Sequence, residues 1–231
     1  MPKGDDKYMS QPFISLILLS GGKGLRMGAS LPKQYMPFLG KTLAWHSLDF
    51  FLKRKEISEI IVVCEEPHQN LFLEKHPKLI FAAPGEKRQD SVLSGLKKTS
   101  FSSDLVIIHD SARPFISEKA FLELIEMGLK YGAATLGAKV KNTIKEVKNG
   151  FVTQTLERDK LYQIYTPQAV LPDFLKRGFK MLAPNQTVTD DVSLIELLNM
   201  PIKIVEDNSF NLKITTPLDL KLAENYAQIQ T

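Results

Sequence analysis

A short apolar segment that leads directly into a glycine-rich turn constrains the fold of this chain most strongly. Residues Ile14–Leu19 (ISLILL) are rich in isoleucine and leucine, which is typical of a strand buried on both faces of a parallel sheet. Glycine in the turn permits positive φ and lets a ligand approach the backbone closely, and successive N–H groups there can bind an anion. We therefore expect a ligand at the turn formed by Ser20, Gly21, Gly22 and Gly24.

Three basic residues accompany this turn, namely Lys23, Arg26 and Lys33. A polyanionic ligand would stabilise such a concentration of positive charge, which predicts a phosphate-bearing substrate. The turn is not a P-loop, because the pattern G-x-x-x-x-G-K-[ST] is absent. Nor is it the dinucleotide fingerprint, because Met27 stands where a third glycine is required. An ordinary surface turn with scattered basic residues remains an alternative at this point.

The composition indicates one domain that spans residues 1–231. The chain has 231 residues, 43% of them hydrophobic, and its net charge of +4 is interspersed along the sequence, so we expect no nucleic-acid partner. Cys64 is the only cysteine, which excludes an intramolecular disulfide and favours a reducing, cytoplasmic location. No apolar run is long enough for a membrane span, and we expect Met1 to Pro12 to be a mobile tail.

The glycine turn is part of a longer motif. The segments SGGKGLRMG (residues 20–28) and LPKQY (residues 31–35) resemble the signature of CTP-dependent sugar and polyol phosphate nucleotidyltransferases, and PKQY is most similar to the 2-C-methyl-D-erythritol 4-phosphate cytidylyltransferases of the non-mevalonate isoprenoid pathway. The resemblance implies that the polyol phosphate attacks the α-phosphorus of CTP, releasing pyrophosphate and giving a CDP-polyol. It also implies that Arg26 and Lys33 stabilise the transition state.

A second candidate site follows the predicted strand Leu79–Ala83. Gly85, Arg88 and Ser91 stand where the next helix should begin, and a helix N-terminus with an arginine and a hydroxyl can bind an anion or a nucleobase. The resemblance implies that these three residues contact the cytidine end of CTP. Asp90 or Ser91 could instead be a simple helix cap.

A third candidate site is the segment HDSARPF after the predicted strand Leu105–His109. Asp110 should therefore lie at the carboxyl end of a central strand, where open α/β sheets bind ligands. A carboxylate beside nucleotide phosphates suggests a divalent cation, most simply Mg²⁺ held mainly by phosphate oxygens, with Asp110 as the candidate protein ligand. Alternatively, Arg113 neutralises Asp110 in a plain ion pair, and His109 is expected to be a core residue. The predicted nucleotide-binding residues here are Asp110, Ser111 and Arg113.

Asn149-Gly150 lies between two alternating segments, Thr143–Lys148 and Phe151–Thr155. This pattern predicts a β-hairpin, which has too little apolar surface to be stable alone. The resemblance implies an arm over Lys139–Tyr162 that packs on the second subunit of a homodimer. It further implies that Arg158, Lys213 and Thr143 hold the incoming phosphate.

The remaining pattern alternates strands with helices, which predicts a Rossmann-like doubly wound, mostly parallel sheet. We predict helices over Glu118–Tyr131 and Pro172–Leu182, and a third over Asp190–Asn199 capped by Thr189. Asp190 and Asp191 would then be acidic residues in a helix's first turn, as the helix dipole favours. Two alternative functions remain open: the related ribitol 5-phosphate cytidylyltransferases, which share AGGxGxRM, HDSxRPF and TPQ-like segments, and a dinucleotide-dependent oxidoreductase.

Overall fold

The computed structural model describes residues 11–22, 31–72 and 79–230, and it contains six α-helices and eleven strands within those ranges. The helices are α1 (Leu43–Leu52), α2 (Arg88–Leu96), α3 (Glu118–Tyr131), α4 (Pro172–Met181), α5 (Ser193–Glu196) and α6 (Pro217–Gln230). The strands are β1 (Ile14–Leu19), β2 (Pro37–Phe38), β3 (Lys41–Thr42), β4 (Ile57–Val63), β5 (Leu79–Ala82), β6 (Leu105–Asp110), β7 (Ala133–Lys139), β8 (Lys145–Lys148), β9 (Phe151–Thr155), β10 (Tyr162–Val170) and β11 (Lys203–Glu206).

Seven of these strands form one sheet in the order β11-β7-β10-β6-β1-β4-β5. Strand β1 is parallel to both β4 and β6, and the pairs β4-β5 and β7-β11 are also parallel. Only β10 is antiparallel to its neighbours β6 and β7 within this sheet. The predicted mostly parallel α/β sheet is therefore confirmed.

Helices cover both faces of the sheet, because the strand side chains alternate between two apolar clusters. Leu16 and Leu18 of β1 belong to the cluster that contains Phe51 of α1 and Phe121 of α3. Ile17, between them, belongs to the opposite cluster, which includes Val92 and Leu96 of α2 and Leu175 of α4. This arrangement gives the buried central strand that the opening apolar segment predicts.

Sequence patterning does not predict β10, because its segment carries a proline and several polar residues. Proline removes a ladder hydrogen bond and normally argues against a central strand. The register of β10 against β7 shifts between Tyr165 and Gln168, so Pro167 lies at an irregularity in the ladder. The strand then continues to Val170, and its Gln168 is fully buried.

The predicted helix over residues 190–199 is wrong. Only Ser193–Glu196 is helical, and Thr189 is not its cap. The side chain of Asp190 accepts a hydrogen bond from the backbone N–H of Ser193 at 3.1 Å, so Asp190 precedes the helix instead of lying in its first turn. By contrast, α3 begins and ends as predicted, with Ser117 accepting a bond from the N–H of Ala120 at 3.3 Å and Gly132 at φ 87°.

The predicted hairpin is confirmed as a separate antiparallel pair of β8 and β9. Asn149 and Gly150 have φ values of 51° and 83°, and positive φ at both central residues is typical of the turn that joins two-residue hairpins. Val147 lies opposite Val152, and their side chains are 56% and 60% exposed. The described part of its own chain thus leaves more than half of each of these side chains exposed.

None of the helices in the described ranges combines the length and the apolar character that crossing a bilayer requires.

Candidate active site

A cavity of about 530 Å³ opens where β1, β5 and β6 end. The carboxyl ends of parallel strands are the usual ligand site of open α/β sheets. Most of the predicted site residues in the described ranges line this one cavity. They are Gly21, Gly22, Lys33, Gly85, Arg88, Ser91, Asp110, Ser111 and Lys213.

The LPKQY segment holds the described part of the glycine turn, residues 20–22. Gln34 is buried, and its Nε2 atom donates hydrogen bonds to the carbonyl oxygens of Ser20 and Gly22, both at 2.7 Å. The Tyr35 hydroxyl donates to the same Ser20 oxygen at 2.6 Å, and burial raises the pKa of Tyr35, so this hydroxyl keeps its proton. This part of the turn is therefore held in place before any ligand arrives. The Ser20 hydroxyl contributes to this by donating to Ser111 Oγ at 2.7 Å.

Close packing, not positive φ, is the reason for glycine at position 21. The glycines with positive φ in the described ranges are Gly40, Gly132 and Gly150. A Cβ atom on Gly21 would lie 2.3 Å from the Cβ atom of Pro84, whereas one on Gly22 would meet nothing within 4 Å. The prediction that the turn glycines adopt positive φ is therefore wrong for Gly21 and Gly22. Gly24 lies outside the described residues.

We expect Gly21→Ala to lower the free energy of unfolding by about 1–3 kcal/mol, because the added methyl group overpacks the contact with Pro84. The Gly22→Ala variant is a matched control in the same turn, and we expect it to be close to neutral. Urea denaturation of the two variants beside the unmodified protein measures the difference. Equal losses in both variants would contradict this explanation.

Asp110 is buried and lies between three cations. Its Oδ1 atom accepts from Arg88 Nε at 3.1 Å and its Oδ2 atom from Lys213 Nζ at 2.6 Å, while Arg113 Nε is 3.9 Å from Oδ2. Burial alone would raise the pKa of Asp110, but Arg88 and Lys213 together lower it below its ordinary value. The Arg113–Asp110 ion pair of the alternative interpretation is therefore present at 3.9 Å, but it is not the whole arrangement, because Arg88 and Lys213 make the direct contacts.

Asp191, which the sequence analysis did not assign to the site, holds the end of the Arg88 side chain. The two terminal nitrogens of Arg88 donate to the two carboxylate oxygens of Asp191 at 2.7 and 2.8 Å, and Asp191 is only 2% exposed. Burial opposes the charge on Arg88, but Asp191 and Asp110 more than offset that effect and raise its pKa. The interpretation of Asp191 as a helix-dipole residue is thus wrong, since this carboxylate is the buried partner of Arg88.

Gln168, the glutamine of the TPQ segment, holds Asp191 in turn. Its Oε1 atom accepts from the backbone N–H groups of Asp191 and Val192 at 2.8 and 3.2 Å. Its Nε2 atom donates to Thr135 Oγ1 at 2.9 Å and to Asp190 Oδ2 at 3.0 Å. A buried polar side chain with every group satisfied specifies one geometry. A continuous series of contacts therefore joins Gln168 to the cavity through Asp191, Arg88 and Asp110.

The start of α2 is built by side-chain contacts to its own backbone. Ser91 Oγ accepts from the Gly85 N–H at 3.0 Å, and Asp90 Oδ2 accepts from the Lys87 N–H at 3.0 Å. Asp90 is thus the cap that the alternative interpretation allowed. A Cβ atom on Gly85 would lie 2.3 Å from the Cβ atom of Asp90, so this glycine is required by close packing.

Other predicted residues lie elsewhere. Arg113, Thr143 and Arg158 do not line the cavity; Thr143 and Arg158 are exposed near the hairpin, where Arg158 Nη1 donates to the Lys141 carbonyl at 3.0 Å. His109 is a fully buried core residue, as expected, and burial lowers its pKa to about 3.

Arg26 lies outside the described residues. No group of three or more His, Cys, Asp or Glu side chains that could hold a metal occurs within the described ranges.

Comparisons with known proteins find relatives over most of the chain. The sequence model of 2-C-methyl-D-erythritol 4-phosphate cytidylyltransferase (IspD) matches residues 14–228. The chloroplastic enzyme of that name from Oryza sativa subsp. japonica is 46% identical over an alignment of 217 positions, which covers 91% of this chain and 73% of the relative. The enzyme of that name from Chlamydia abortus is 44% identical over 92% of this chain and 95% of its own length.

Solved structures give the same result. The 4-diphosphocytidyl-2C-methyl-D-erythritol synthase from Anaerococcus prevotii has a TM-score of 0.84 and 32% identity, covering 94% of this chain and 97% of its own. The Francisella tularensis 2-C-methyl-D-erythritol 4-phosphate cytidylyltransferase has a TM-score of 0.81 and 29% identity, covering 95% and 100% of the two chains. The resemblance in the sequence motifs is thereby confirmed, and this chain belongs to the 2-C-methyl-D-erythritol 4-phosphate cytidylyltransferase family.

Proposed function

We propose that this protein transfers the cytidylyl group of CTP to 2-C-methyl-D-erythritol 4-phosphate, as the family name describes. The products are the CDP-polyol and pyrophosphate, and the reaction belongs to the non-mevalonate route to isoprenoid precursors. The observation that carries the proposal is the cavity at the strand ends, which is lined by Lys33, Arg88 and Lys213 together with Gly21 and Gly22 of the glycine turn. Such a site suits a triphosphate and a second phosphate group better than a neutral ligand.

In this reaction an oxygen of the polyol phosphate attacks the α-phosphorus of CTP. The bond from the α-phosphorus to the bridging oxygen of the β-phosphate breaks, and the electron pair leaves with pyrophosphate. Catalysis of this kind depends mainly on positioning and on stabilising charge around the transferred phosphorus. Lys33, which lines the cavity, and Arg26, assigned from the G-x-R-M motif alone, would stabilise that charge.

The nucleotide would lie along the glycine turn and the start of α2. Gln34 holds the backbone of the turn at Ser20 and Gly22, so this part can present its backbone groups to phosphate without prior rearrangement. Gly24 is assigned to the nucleotide from the sequence motif alone. Base recognition is assigned to the segment from Gly85 to Ser91. Since the side chains of Arg88 and Ser91 already have protein partners, we infer that this segment acts mainly through its shape and backbone groups. Ser111, which lines the cavity, is proposed to lie beside the nucleotide as predicted, whereas the predicted nucleotide contact of Arg113 has no support from the cavity lining.

A magnesium ion is proposed as the cofactor, held mainly by the phosphates of CTP. Mg²⁺ commonly uses one or two carboxylates together with substrate phosphates, and Asp110 is a carboxylate that lines the cavity. Because both Asp110 oxygens accept hydrogen bonds from cations, the residues suit an ion that arrives with the nucleotide rather than one held by protein alone. When bound, the ion would neutralise part of the triphosphate charge.

The acceptor site is proposed to be shared between two subunits. Thr143 and Arg158 are the predicted phosphate ligands that lie outside the cavity, while Lys213 lines it. The hairpin exposes Val147, Phe151 and Val152, and a two-stranded hairpin is marginally stable without a partner. An exchange of arms in a homodimer would bury these side chains and bring Thr143 and Arg158 to the Lys213 of the other chain.

Mixing two inactive variants tests this arrangement. Arg158→Ala and Lys213→Ala chains should each be nearly inactive because both lose acceptor binding. In a mixed dimer one site keeps both residues, so equimolar mixing should restore about a quarter of the unmodified activity. Failure to recover activity despite demonstrated subunit exchange would place both residues in the pocket of one chain. Mixing Lys213→Ala with a Lys213→Gln chain is the matched control, for which no recovery is expected.

Pyrophosphate release tests the function itself. The protein with CTP and Mg²⁺ should release pyrophosphate with 2-C-methyl-D-erythritol 4-phosphate and far less with ribitol 5-phosphate. Preference for ribitol 5-phosphate would select the related family, and reduction of a nicotinamide dinucleotide without pyrophosphate release would select the oxidoreductase alternative. The cytoplasmic location remains a prediction from the single cysteine.

A further inference from the structure

The side chain of Gln89, at the start of α2, holds part of the loop between α4 and α5. Its Nε2 atom donates to the Gln186 carbonyl at 3.0 Å, and its Oε1 atom accepts from the Val188 backbone N–H at 3.0 Å. The carbonyl of one residue and the N–H of the residue two positions later are the groups that an extended segment offers to a neighbouring strand. The buried amide of Gln89 thus takes the place of such a strand.

The loop segment that is held in this way, residues 183–189, presents one face to α2. Gln186 and Val188 are half-buried, whereas Thr187 between them is exposed, which is the alternation of an extended chain. Within the described ranges, the other hydrogen bonds of this segment stay inside it. The Gln186 N–H donates to the Ala183 carbonyl, and the Ala183 N–H donates to the Gln186 side chain, both at 3.0 Å. The two bonds described above are therefore the hydrogen bonds that join this segment to the rest of the described protein.

The same loop supports Arg88, the residue before Gln89. Asp191 follows three residues after Val188, and its carboxylate accepts from both terminal nitrogens of Arg88. Gln168 holds Asp191 from the side of the sheet, whereas Gln89 holds the chain that leads to Asp191 from the side of the helix. Two consecutive residues of α2 thus bind one loop, so the first turn of the helix and the loop should move as one body.

We propose that Gln89 is a positioning residue for recognition of the cytosine base. The proposal rests on the proposed function, which assigns the base to the segment from Gly85 to Ser91, acting through its shape and backbone groups. Gln89 belongs to that segment but does not line the cavity, so it contacts no substrate. Its effect is to fix the segment against the α4–α5 loop, because backbone groups distinguish one base from another only while their positions are fixed.

The test is Gln89→Leu, which keeps a side chain of similar size but removes both hydrogen bonds. We expect the KM for CTP to rise about fivefold and the preference for CTP over UTP to fall, since the base segment loses its fixed position. The kcat should stay within about twofold, because Lys33 and the glycine turn are untouched. The KM for 2-C-methyl-D-erythritol 4-phosphate should not change. Steady-state kinetics of pyrophosphate release measures all of these quantities.

Gln186→Ala is the matched control in the same loop. It removes the bond from the Ala183 N–H to the Gln186 side chain but leaves the backbone carbonyl that Gln89 binds. If Gln89 served only the stability of the loop, both variants would show the same kinetics, and equal KM values for CTP would overturn the proposal. A fall in the kcat of Gln89→Leu without a rise in the KM for CTP would also overturn it.

Failure of the proposed function would give a different result. If the unmodified protein releases no pyrophosphate from CTP, or uses UTP as readily as CTP, the proposed function fails. If the unmodified protein prefers CTP and Gln89→Leu matches Gln186→Ala, only the role of Gln89 fails.

Hydrogen exchange in the unmodified protein tests the same link without any variant. The Val188 N–H is held by Gln89, whereas the Gln186 N–H is held by the Ala183 carbonyl inside the loop. Saturation with a CTP analogue that cannot be cleaved between the α- and β-phosphates should slow exchange at Val188 about fivefold and leave exchange at Gln186 unchanged. The same exchange rate at Val188 with and without the analogue would contradict the proposal.

Discussion

Replacing Lys33 with alanine should lower kcat by about a hundredfold or more, with a much smaller change in the KM for CTP. A cation that faces charge developing at the α-phosphorus acts more strongly on the transition state than on the bound substrate. The expected loss is about 3 kcal/mol, the scale of a removed oxyanion donor. Lys33 lines the cavity beside Gly21 and Gly22, so it is placed for this role. Steady-state kinetics of pyrophosphate release measures both constants.

Lys41→Ala is the matched control for this experiment. Lys41 is an exposed lysine whose Nζ atom lies 5.0 Å from the centre of the Trp45 ring, and it does not line the cavity. Its removal should leave kcat close to normal. A Lys33→Ala enzyme with normal kcat and only a raised KM would show that Lys33 holds ground-state CTP and would contradict the catalytic assignment. Arg26→Ala should behave as Lys33→Ala does.

Asp191→Asn should lower the free energy of unfolding by about 3 kcal/mol and remove most of the activity. The substitution preserves size but leaves the partly buried Arg88 with one charged partner fewer, and removing the charge of the buried member of an ion pair is strongly destabilising. Arg88 would then be free to move relative to Asp110, to which its Nε atom donates. Because Asp110 also accepts a hydrogen bond from Lys213, the position of Lys213 in the cavity would change as well. Urea denaturation and a CTP titration of the same variant measure the two effects separately.

A surface pair provides the comparison for Asp191. Asp173 and Arg177 lie one helical turn apart, 3.7 Å from each other, and both are largely exposed. Exposed pairs of this kind contribute little to stability, so Asp173→Asn should change the free energy of unfolding by less than about 0.5 kcal/mol. Similar small losses in both variants would mean that the Arg88–Asp191 pair does not fix the site.

Local periodicity and turn chemistry explain which elements could be predicted from the sequence. Strand β1, helix α3 and the Asn149-Gly150 hairpin are specified by residues close to one another in the chain, and each lies where the pattern places it. The same reasoning places Lys33, Asp110 and Lys213 at one cavity, because each lies in a motif that ends or precedes a regular element.

The features that could not be predicted depend on contacts between distant segments. Asp191 is 103 residues from Arg88 in the sequence, and no local pattern distinguishes a buried ion pair from acidic residues at a helix start. The short helix α5 and the strand β10 are set by the same contacts, because Gln168 occupies the N–H groups of Asp191 and Val192. Helix propensity alone therefore gave the wrong boundaries for residues 190–199.

The position of Gln168 has a consequence for how the enzyme loses activity on heating. Gln168 lies in β10, which is hydrogen-bonded to both β6 and β7 inside the sheet, so the N–H groups that it holds can open only when the sheet itself opens. The amide protons of Asp191 and Val192 should accordingly exchange with solvent as slowly as those of the central strands. Inactivation and loss of circular dichroism should then occur over the same temperature range, without an earlier phase in which the folded protein is already inactive.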